Sequence, residues 1–363
     1  MTTLRVCVVV GTRPEIIKMS SVIKSLLSED VDFSLVHTGQ HYDAELSKVF
    51  FADLGLPSPD LNLSVGSGSH ATQTARALLG LEATFRKLSP DLVLVEGDTN
   101  SVLAASLAAI KMHIKVGHIE AGLRSYDTRM PEEYNRIVAD HVSSYLFAPT
   151  RNAAATLRGE SCSGEIHVTG NTVIDSCLSY GPEATKRGEG RKKVPYDNFA
   201  LATVHRSENV DDPIVLKRIS TIIAKCPFPV VFPIHPRTML RLRDAGIESK
   251  LKASKNVFLF PPLGYFDFLD LLMSCAFILT DSGGIQEEAT APNIRKKTFV
   301  LRNSTERPEA VKAGFAEIVG TEPRFVLSKL GRFVRKKWTP PKKSPFGDGK
   351  AGSRIAKIVK GLC

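Results

Sequence analysis

Four side chains suited to moving protons stand where apolar runs end. Asp98 lies in Glu96-Gly97-Asp98-Thr99-Asn100 after Leu92–Val95, and Glu120 in His118-Ile119-Glu120-Ala121-Gly122-Leu123-Arg124. Glu132 opens a helical pattern in Pro131-Glu132-Glu133-Tyr134-Asn135-Arg136, and His205 follows Phe199–Val204. Buried parallel strands are apolar, so polar residues at their C-terminal ends ask for a reason, and open α/β sheets place ligands at those ends. Asp98, Glu120, Glu132 and His205 are therefore expected to face one cleft from its two sides. Blander roles compete with this one. Asp98 can cap the helix that starts near Ser101, and Glu132 with Glu133 can complement a helix dipole. His118 and Glu120 have the spacing of metal ligands, but no further ligand pattern accompanies them, and no metal is expected. His235, between Ile234 and Pro236, reads equally as structural or functional. A serine hydrolase is disfavoured because no Gly-x-Ser-x-Gly elbow occurs.

Two further motifs suit phosphate. Thr280-Asp281-Ser282-Gly283-Gly284-Ile285-Gln286-Glu287-Glu288 follows an apolar run and reads as a strand passing through a glycine turn into a helix. Such a helix start offers free N–H groups and a positive dipole end to an anion. Near the N-terminus, Val6–Val10 stops at Gly11-Thr12-Arg13-Pro14-Glu15, with Pro14 at a helix start and Lys18 one turn on. Arg13 and Lys18 then converge where a diphosphate would sit.

These residues need a scaffold of short strands alternating with amphipathic helices, the pattern of doubly wound α/β folds. Strands are expected at Arg5–Val10, Asp32–Thr38, Asp91–Glu96, Lys115–Ile119, Ser144–Ala148 and Ile166–Thr169. A second set is expected near Phe199–Val204, Val230–Pro233, Val257–Phe260, Phe277–Thr280 and Thr298–Leu301. Between the sets, residues 181–193 are polar, basic and glycine-rich, as in a linker. The expected organisation is a Rossmann-like domain over 1–180, a linker over 181–198, a second Rossmann-like domain over 199–340, and a basic segment over 341–363 packing back on the first domain. The fold class is α/β, with two doubly wound domains facing a cleft.

The chain has 363 residues, 43% hydrophobic and 24% charged, which is ordinary for a globular protein of two domains. Its net charge of +10 is confined to residues 321–363, where twelve Lys and Arg face only Glu322 and Asp348. A nucleic-acid groove needs basic residues interleaved with stacking aromatics along a surface, so a solvated face on a C-terminal helix is the better reading and no nucleic-acid partner is expected. No apolar stretch approaches the roughly 20 residues that span a bilayer, and the N-terminus lacks the pattern of a signal peptide. A cytoplasmic location without membrane contact is expected. The six cysteines show no Cys-x-x-Cys spacing and read as reduced and buried.

Taken together, the motifs resemble those of the non-hydrolysing UDP-N-acetylglucosamine 2-epimerases. The resemblance runs through Gly11-Thr12-Arg13-Pro14-Glu15, Thr38-Gly39-Gln40-His41, Glu96-Gly97-Asp98-Thr99, His118 to Arg124, Pro131-Glu132-Glu133, Gly170-Asn171-Thr172, His205-Arg206, Thr280 to Glu288 and Thr305-Glu306-Arg307-Pro308-Glu309. It covers roughly residues 4–320 in the family's order. It implies a glycosyltransferase-B type fold, a homodimer, no cofactor, and interconversion of UDP-GlcNAc and UDP-ManNAc. The C2 hydrogen of the sugar is hardly acidic, and the family's route is elimination of UDP to a 2-acetamidoglucal followed by re-addition. A hydrolysing epimerase releasing ManNAc and UDP is the alternative within the fold, and a UDP-sugar glycosyltransferase is the next. A nucleotide-sugar sensor without turnover is disfavoured, because ionisable residues fill the catalytic positions.

By the same resemblance Arg13, His205, Ser282, Gly283 and Gly284 hold the diphosphate, Lys18 is an active-site lysine, Glu288 holds the ribose, and Arg307 belongs to the nucleotide site. Asp98, Glu120 and Glu132 do the acid and base work with Arg136 near them, and Phe268 stands at the aromatic position beside the uracil. Gln40, His41, Arg206 and His235 match a second, regulatory UDP-GlcNAc site found in some bacterial members, whereas Asp43 and the segment 66–70 depart from that pattern. The loop Thr290-Ala291-Pro292-Asn293-Ile294-Arg295-Lys296-Lys297-Thr298 is longer than in many relatives and lacks their glycine.

Overall fold

The computed structural model describes residues 4–40 and 44–362, without the side chains of 44–47. His41, Asp43 and Cys363 lie outside the described residues. Two compact units divide the chain, one formed by residues 1–176 with 346–363 and the other by 177–345. Both are Rossmann-like, doubly wound α/β units.

The first unit is built on seven strands: β1 Val6–Val10, β2 Phe33–His37, β3 Leu61–Asn62, β4 Leu92–Glu96, β5 Lys115–Ile119, β6 Tyr145–Ala148 and β7 Glu165–Val168. They pair in parallel in the order β3-β2-β1-β4-β5-β6-β7, with Val8 in register with Leu35 on one side and Leu94 on the other. The valines of β1 alternate between two covered faces, and every residue of that strand is buried. The continuous apolar run in the sequence has this cause. The second unit has six strands: β8 Ala200–Thr203, β9 Val230–Pro233, β10 Val257–Phe260, β11 Phe277–Thr280, β12 Lys297–Val300 and β13 Ala316–Ile318. Their order is β10-β9-β8-β11-β12-β13, again with parallel pairing. The strand order reverses direction between β1 and β4 in the first unit and between β8 and β11 in the second. Crevices at such switch points are where open α/β sheets bind ligands.

The expected strands are present, and two short edge strands, β3 and β13, add to them. The stretch 181–193, expected as a linker, is largely helical. The helix Thr172–Arg187 runs through Pro182, and Glu189–Lys192 forms a further turn. The boundary between units falls at Ser176/Cys177 instead. In 181–193 small residues make the packing, so the stretch carries no large apolar side chain. Ala184 is fully buried, a Cβ on Gly190 would lie 2.8 Å from the Asp267 carbonyl oxygen, and the Arg187 guanidinium sits 3.9 Å above the Phe266 ring.

The basic C-terminal segment ends in the helix Ala351–Lys360, which packs on the first helix, Arg13–Ser28, within the first unit. Buried Asp175 accepts the opening N–H groups of Ala351 and Gly352 at 3.2 and 2.9 Å, and Lys360 pairs with Glu29 at 3.1 Å. The two helices meet at Gly352, where a Cβ would lie 2.6 Å from the Ser21 backbone. Gly352→Val should therefore lose about 1–3 kcal/mol by overpacking. Thermal unfolding checks this, with Gly331→Ala as the contrast, since a Cβ there meets only the Arg335 side chain at 3.9 Å and should keep or raise the midpoint.

Candidate active site

In the first unit the polar groups gather where β1, β4 and β5 end. Lys18, on the first helix, forms an ion pair with Glu96 Oε1 at 2.9 Å and donates to Glu120 Oε2. Its ammonium is thus held by two carboxylates. Glu96 is only 1% exposed, and burial pushes its carboxyl well above the usual range; Lys18 opposes this and the neighbouring Glu120 carboxylate adds to it. Glu120 has φ of +71°, a left-handed backbone that a non-glycine residue rarely adopts. The following turn is fixed at Gly122, whose N–H donates to Asp140 at 3.1 Å and where a Cβ would lie 2.3 Å from the Ala153 carbonyl oxygen.

His118 is fully buried and serves this turn. Nδ1 donates to Asp140 at 2.7 Å and Nε2 to the Gly97 carbonyl at 2.8 Å. Burial alone would lower its pKa, but Asp140, the Gly97 carbonyl and Glu120 raise it above the ordinary value. With both ring nitrogens donating, His118 has no lone pair to offer a metal. Among the described residues one group, His141, Glu160 and Cys162, has donor atoms within 4.8 Å of one another, and Arg124 already takes both Glu160 oxygens at 2.9 and 2.6 Å.

Asp98 does not cap the next helix, Asn100–Lys111. Thr99 does, accepting from the Ser101 and Val102 N–H groups at 3.2 and 3.4 Å. The Asp98 carboxylate is instead paired with Arg136. Arg136 comes from the helix Pro131–Val142, whose first turn splits the roles of its two glutamates. Glu133 is buried, accepts from the Ser125 and Tyr126 backbone, and holds Arg136 at 2.9 Å. Glu132 is half-buried and has no hydrogen-bond or ion-pair partner among the described residues. The dipole-complementing alternative therefore does not account for both.

Arg13 is partly buried, with its guanidinium 5.3 Å over the Phe50 ring. Gln40 is buried in an amide network, donating to Gln73 at 3.2 Å and accepting from the Ser101 hydroxyl at 3.0 Å. Glu15 was not singled out from the sequence, although the Thr-x-x-Glu spacing from Thr12 is that of a capping box. It accepts from the Gly11 and Thr12 N–H groups and from the Thr99 hydroxyl, so it ties the turn after β1 to the turn after β4. Glu96 was within reach of the same signal as Asp98, a polar residue closing a buried strand.

In the second unit the organiser is Asp281, fully buried after β11. It accepts from the His205 and Arg206 N–H groups at 3.1 and 3.0 Å and from the Asn209 amide at 3.0 Å. The His205 ring lies 3.5 Å from the same carboxylate and 5.8 Å from the His235 ring. Loss of water, with Arg206 and His235 nearby, holds the His205 imidazole below its ordinary pKa despite Asp281. His235 caps the helix Pro236–Asp244, its Nδ1 accepting the Arg237 N–H at 3.2 Å.

Ser282 is the N-cap of the helix Gly283–Glu288 and makes no capping bond with its own side chain. A Cβ on Gly283 would stand 3.6 Å from Arg307 Cζ, so the glycine turn and Arg307 are brought together. Arg307 Nε donates to buried Glu287 at 2.5 Å. Beside them Glu306 accepts from Arg302 at 2.8 Å and lies 3.8 Å from Arg206; burial would raise its carboxyl, but Arg307, Arg206 and Arg302 bring it down to about 2. Glu288 is partly buried at the end of its helix, and Phe268 is partly buried on the helix Tyr265–Ser274. In the 290–298 loop Arg295 takes a left-handed φ of +49° and donates to the Lys342 carbonyl at 3.1 Å.

The profile of the family described as UDP-N-acetylglucosamine 2-epimerase matches residues 25–360. The UDP-N-acetylglucosamine 2-epimerase of Methanococcus maripaludis is 43% identical over 98% of this chain and 98% of its own. The crystal structure of Methanocaldococcus jannaschii UDP-GlcNAc 2-epimerase in complex with UDP-GlcNAc and UDP superposes with a TM-score of 0.90 at 42% identity, covering 99% of this chain and 100% of that one. The UDP-2,3-diacetamido-2,3-dideoxy-D-glucuronate 2-epimerase of Pseudomonas aeruginosa is 38% identical over 99% of this chain and 100% of its own. The chain belongs to the UDP-N-acetylglucosamine 2-epimerase family, a family of isomerases.

Burial lifts the Glu15 carboxyl to about 7, with hydrogen bonds from Thr99, Gly11 and Thr12 opposing and Asp98 adding. A raised carboxyl pKa means that the fold disfavours the ionised form: the penalty is absent below the ordinary value and grows until the pH passes about 7. Glu15→Gln, which keeps an acceptor for the N–H groups, should gain on the wild type by about 2 kcal/mol between roughly pH 5.5 and 8.5. Denaturant unfolding at the two pH values measures this, and a flat or reversed difference would show Glu15 ionised throughout.

Proposed function

We propose that this chain interconverts UDP-GlcNAc and UDP-ManNAc by elimination of UDP to a 2-acetamidoglucal and re-addition with protonation from the opposite face. The observation that carries the reading is Glu120, a carboxylate held in a strained backbone at a strand end and paired with Lys18, while a second carboxylate, Asp98, is paired separately with Arg136. Inversion at C2 needs two proton-handling groups, and two independently poised carboxylates supply them. Glu132, with no protein partner among the described residues, is a third. Arg13, His205, Arg307 and the Ser282-Gly283-Gly284 turn are the residues proposed to hold the diphosphate, through charge-assisted contacts of the kind that stabilise a departing phosphate. With its pKa held down, His205 still has one ring N–H to donate to that anion. A second copy of the chain is the expected partner, as the resemblance implies.

Incubation with UDP-GlcNAc and product analysis tests the reading: intact UDP-ManNAc supports it, whereas free ManNAc with UDP means a hydrolysing epimerase. Turnover in deuterated water should place deuterium at C2 of the product, and full retention of the original hydrogen would exclude elimination and re-addition. Glu120→Gln and Asp98→Asn preserve shape and remove the ionisable group, so kcat should fall by roughly 10²–10⁴ with UDP binding retained. Arg13→Ala should instead weaken UDP itself. Near-normal kcat in both carboxamide variants would reduce these acids to strand-end structure.

A further inference from the structure

The helix Pro323–Val334 follows β13 and returns past the sheet, so its last turn and the chain after it lie at the end of the second unit where β12 and β13 begin. The turns after β8 and β11, with His205 and Asp281, lie at the opposite end. Side chains tie the basic stretch in place: the Trp338 ring packs on Phe333 and Phe315, a Cβ on Gly314 would meet Pro341 at 3.9 Å, and the Lys342 carbonyl accepts from exposed Arg295 at 3.1 Å. Arg332, Arg335, Lys336, Lys337, Lys342 and Lys343 are all exposed, and none has an ion-pair partner among the described residues. The sequence holds no Asp or Glu from Pro323 to Gly347. Glu317, the acid of β13, is already matched by Lys329 at 2.7 Å and Lys297 at 4.0 Å. Composition alone reads these charges as a solvated face. The fold instead concentrates them at one end of one unit, where cations without interleaved acids sum to a positive potential.

We propose that this end of the second unit is a peripheral docking surface for an anionic phospholipid bilayer. Charge complementarity is the ground: a polybasic surface draws anionic headgroups, and long Lys and Arg side chains reach the phosphates while their stems lie along apolar surface such as exposed Val334. Trp338, partly exposed among these cations, is a residue type that settles at headgroup depth. Nucleic acid fits less well, because it asks for aromatic faces free to stack, and here Phe333 and Trp338 are packed on each other and on Phe315. No described helix is long and apolar enough to cross a membrane, and the contact proposed is with the surface alone. Docking at this end leaves His205 and the Ser282-Gly283-Gly284 turn at the far end of the sheet, clear of the lipid, and the proposal stands independently of the epimerase reading.

Trp338 is the sole tryptophan of the chain and reports the contact directly. At low salt the full chain should sediment with vesicles of phosphatidylcholine containing about 30% phosphatidylglycerol, and its emission should move to shorter wavelength. Both effects should vanish at about 0.5 M salt and be absent with phosphatidylcholine alone. No binding at low salt, or equal binding to the neutral vesicles, would overturn the proposal. The combined variant Arg335→Gln, Lys336→Gln, Lys337→Gln, Lys342→Gln, Lys343→Gln should keep the thermal midpoint and lower the vesicle partition coefficient at least about tenfold. A matched variant at exposed cations elsewhere, Lys48→Gln, Lys87→Gln, Lys111→Gln, Lys217→Gln, Lys250→Gln, should lower it by less than about threefold. Equal losses in the two variants would show overall charge at work and overturn the site. An oligonucleotide or polyglutamate that captures the protein at a lower concentration of negative charge than the anionic vesicles need would assign the surface to nucleic acid or to an acidic protein, and the bilayer would be the wrong partner. The wild-type measurements decide the matter even if the combined variant fails to fold.

Discussion

One ammonium, that of Lys18, makes the carboxylate end of the first sheet possible. Glu96 and Glu120 come from the ends of adjacent strands, and a parallel sheet forces them into proximity away from water. Without a cation between them neither could be ionised at modest cost, and the strand ends would need apolar residues. The position of Lys18 depends in turn on the helix Arg13–Ser28, which Pro14 and the Glu15 cap start at the end of β1. A lysine one turn into that helix looks in the sequence like a phosphate ligand. In the structure it is first of all the counter-ion of the acids.

Both units solve a common problem in the same way. At a switch point the turns after two adjacent strands diverge, and something must hold them at a fixed spacing if a ligand is to be gripped between them. In the first unit Glu15, after β1, accepts from Thr99, after β4. In the second, Asp281, after β11, accepts from the backbone of His205 and Arg206, after β8. Each is a buried carboxylate satisfied by N–H and O–H donors, an arrangement that makes an acid rigid without an ion pair. The residues proposed to meet the nucleotide, Arg13 and His205, sit immediately beside these clamps and inherit their rigidity.

The strands were legible because buried parallel strands are unmistakably apolar and their polar ends stand out, and Asp98, Glu120, His205 and the Ser282–Gly284 turn do lie just beyond strand ends. What was not legible depended on partners distant in sequence. Whether Asp98 or Thr99 caps a helix is decided by Arg136, thirty-eight residues away from Asp98. The separate duties of Glu132 and Glu133 depend on the turn at Ser125 and Tyr126. The expected linker failed for a related reason: Ala184 and Gly190 pack by being small, and composition counts only large apolar side chains as packing. The 290–298 loop, without a glycine, still contains a left-handed residue, Arg295, which anchors it to the Lys342 carbonyl.

The strain at Glu120 shows how these pieces combine. A left-handed non-glycine residue is unfavourable by roughly 1–3 kcal/mol and persists only where its surroundings over-determine it. Here the N–H groups of Glu120 and Ala121 both donate to the Phe147 carbonyl at 3.1 and 3.2 Å, Gly122 is pinned to Asp140, and the side chain is drawn toward Lys18. Asp140 also pairs with His118 and Arg124, which offset its burial, and both belong to the same short stretch of chain as Glu120. The segment from His118 to Arg124 therefore builds its own support. His118 and Arg124 bind one buried aspartate, the glycine between them turns closely past the Ala153 carbonyl, and the strained glutamate is left reaching the Lys18 ammonium.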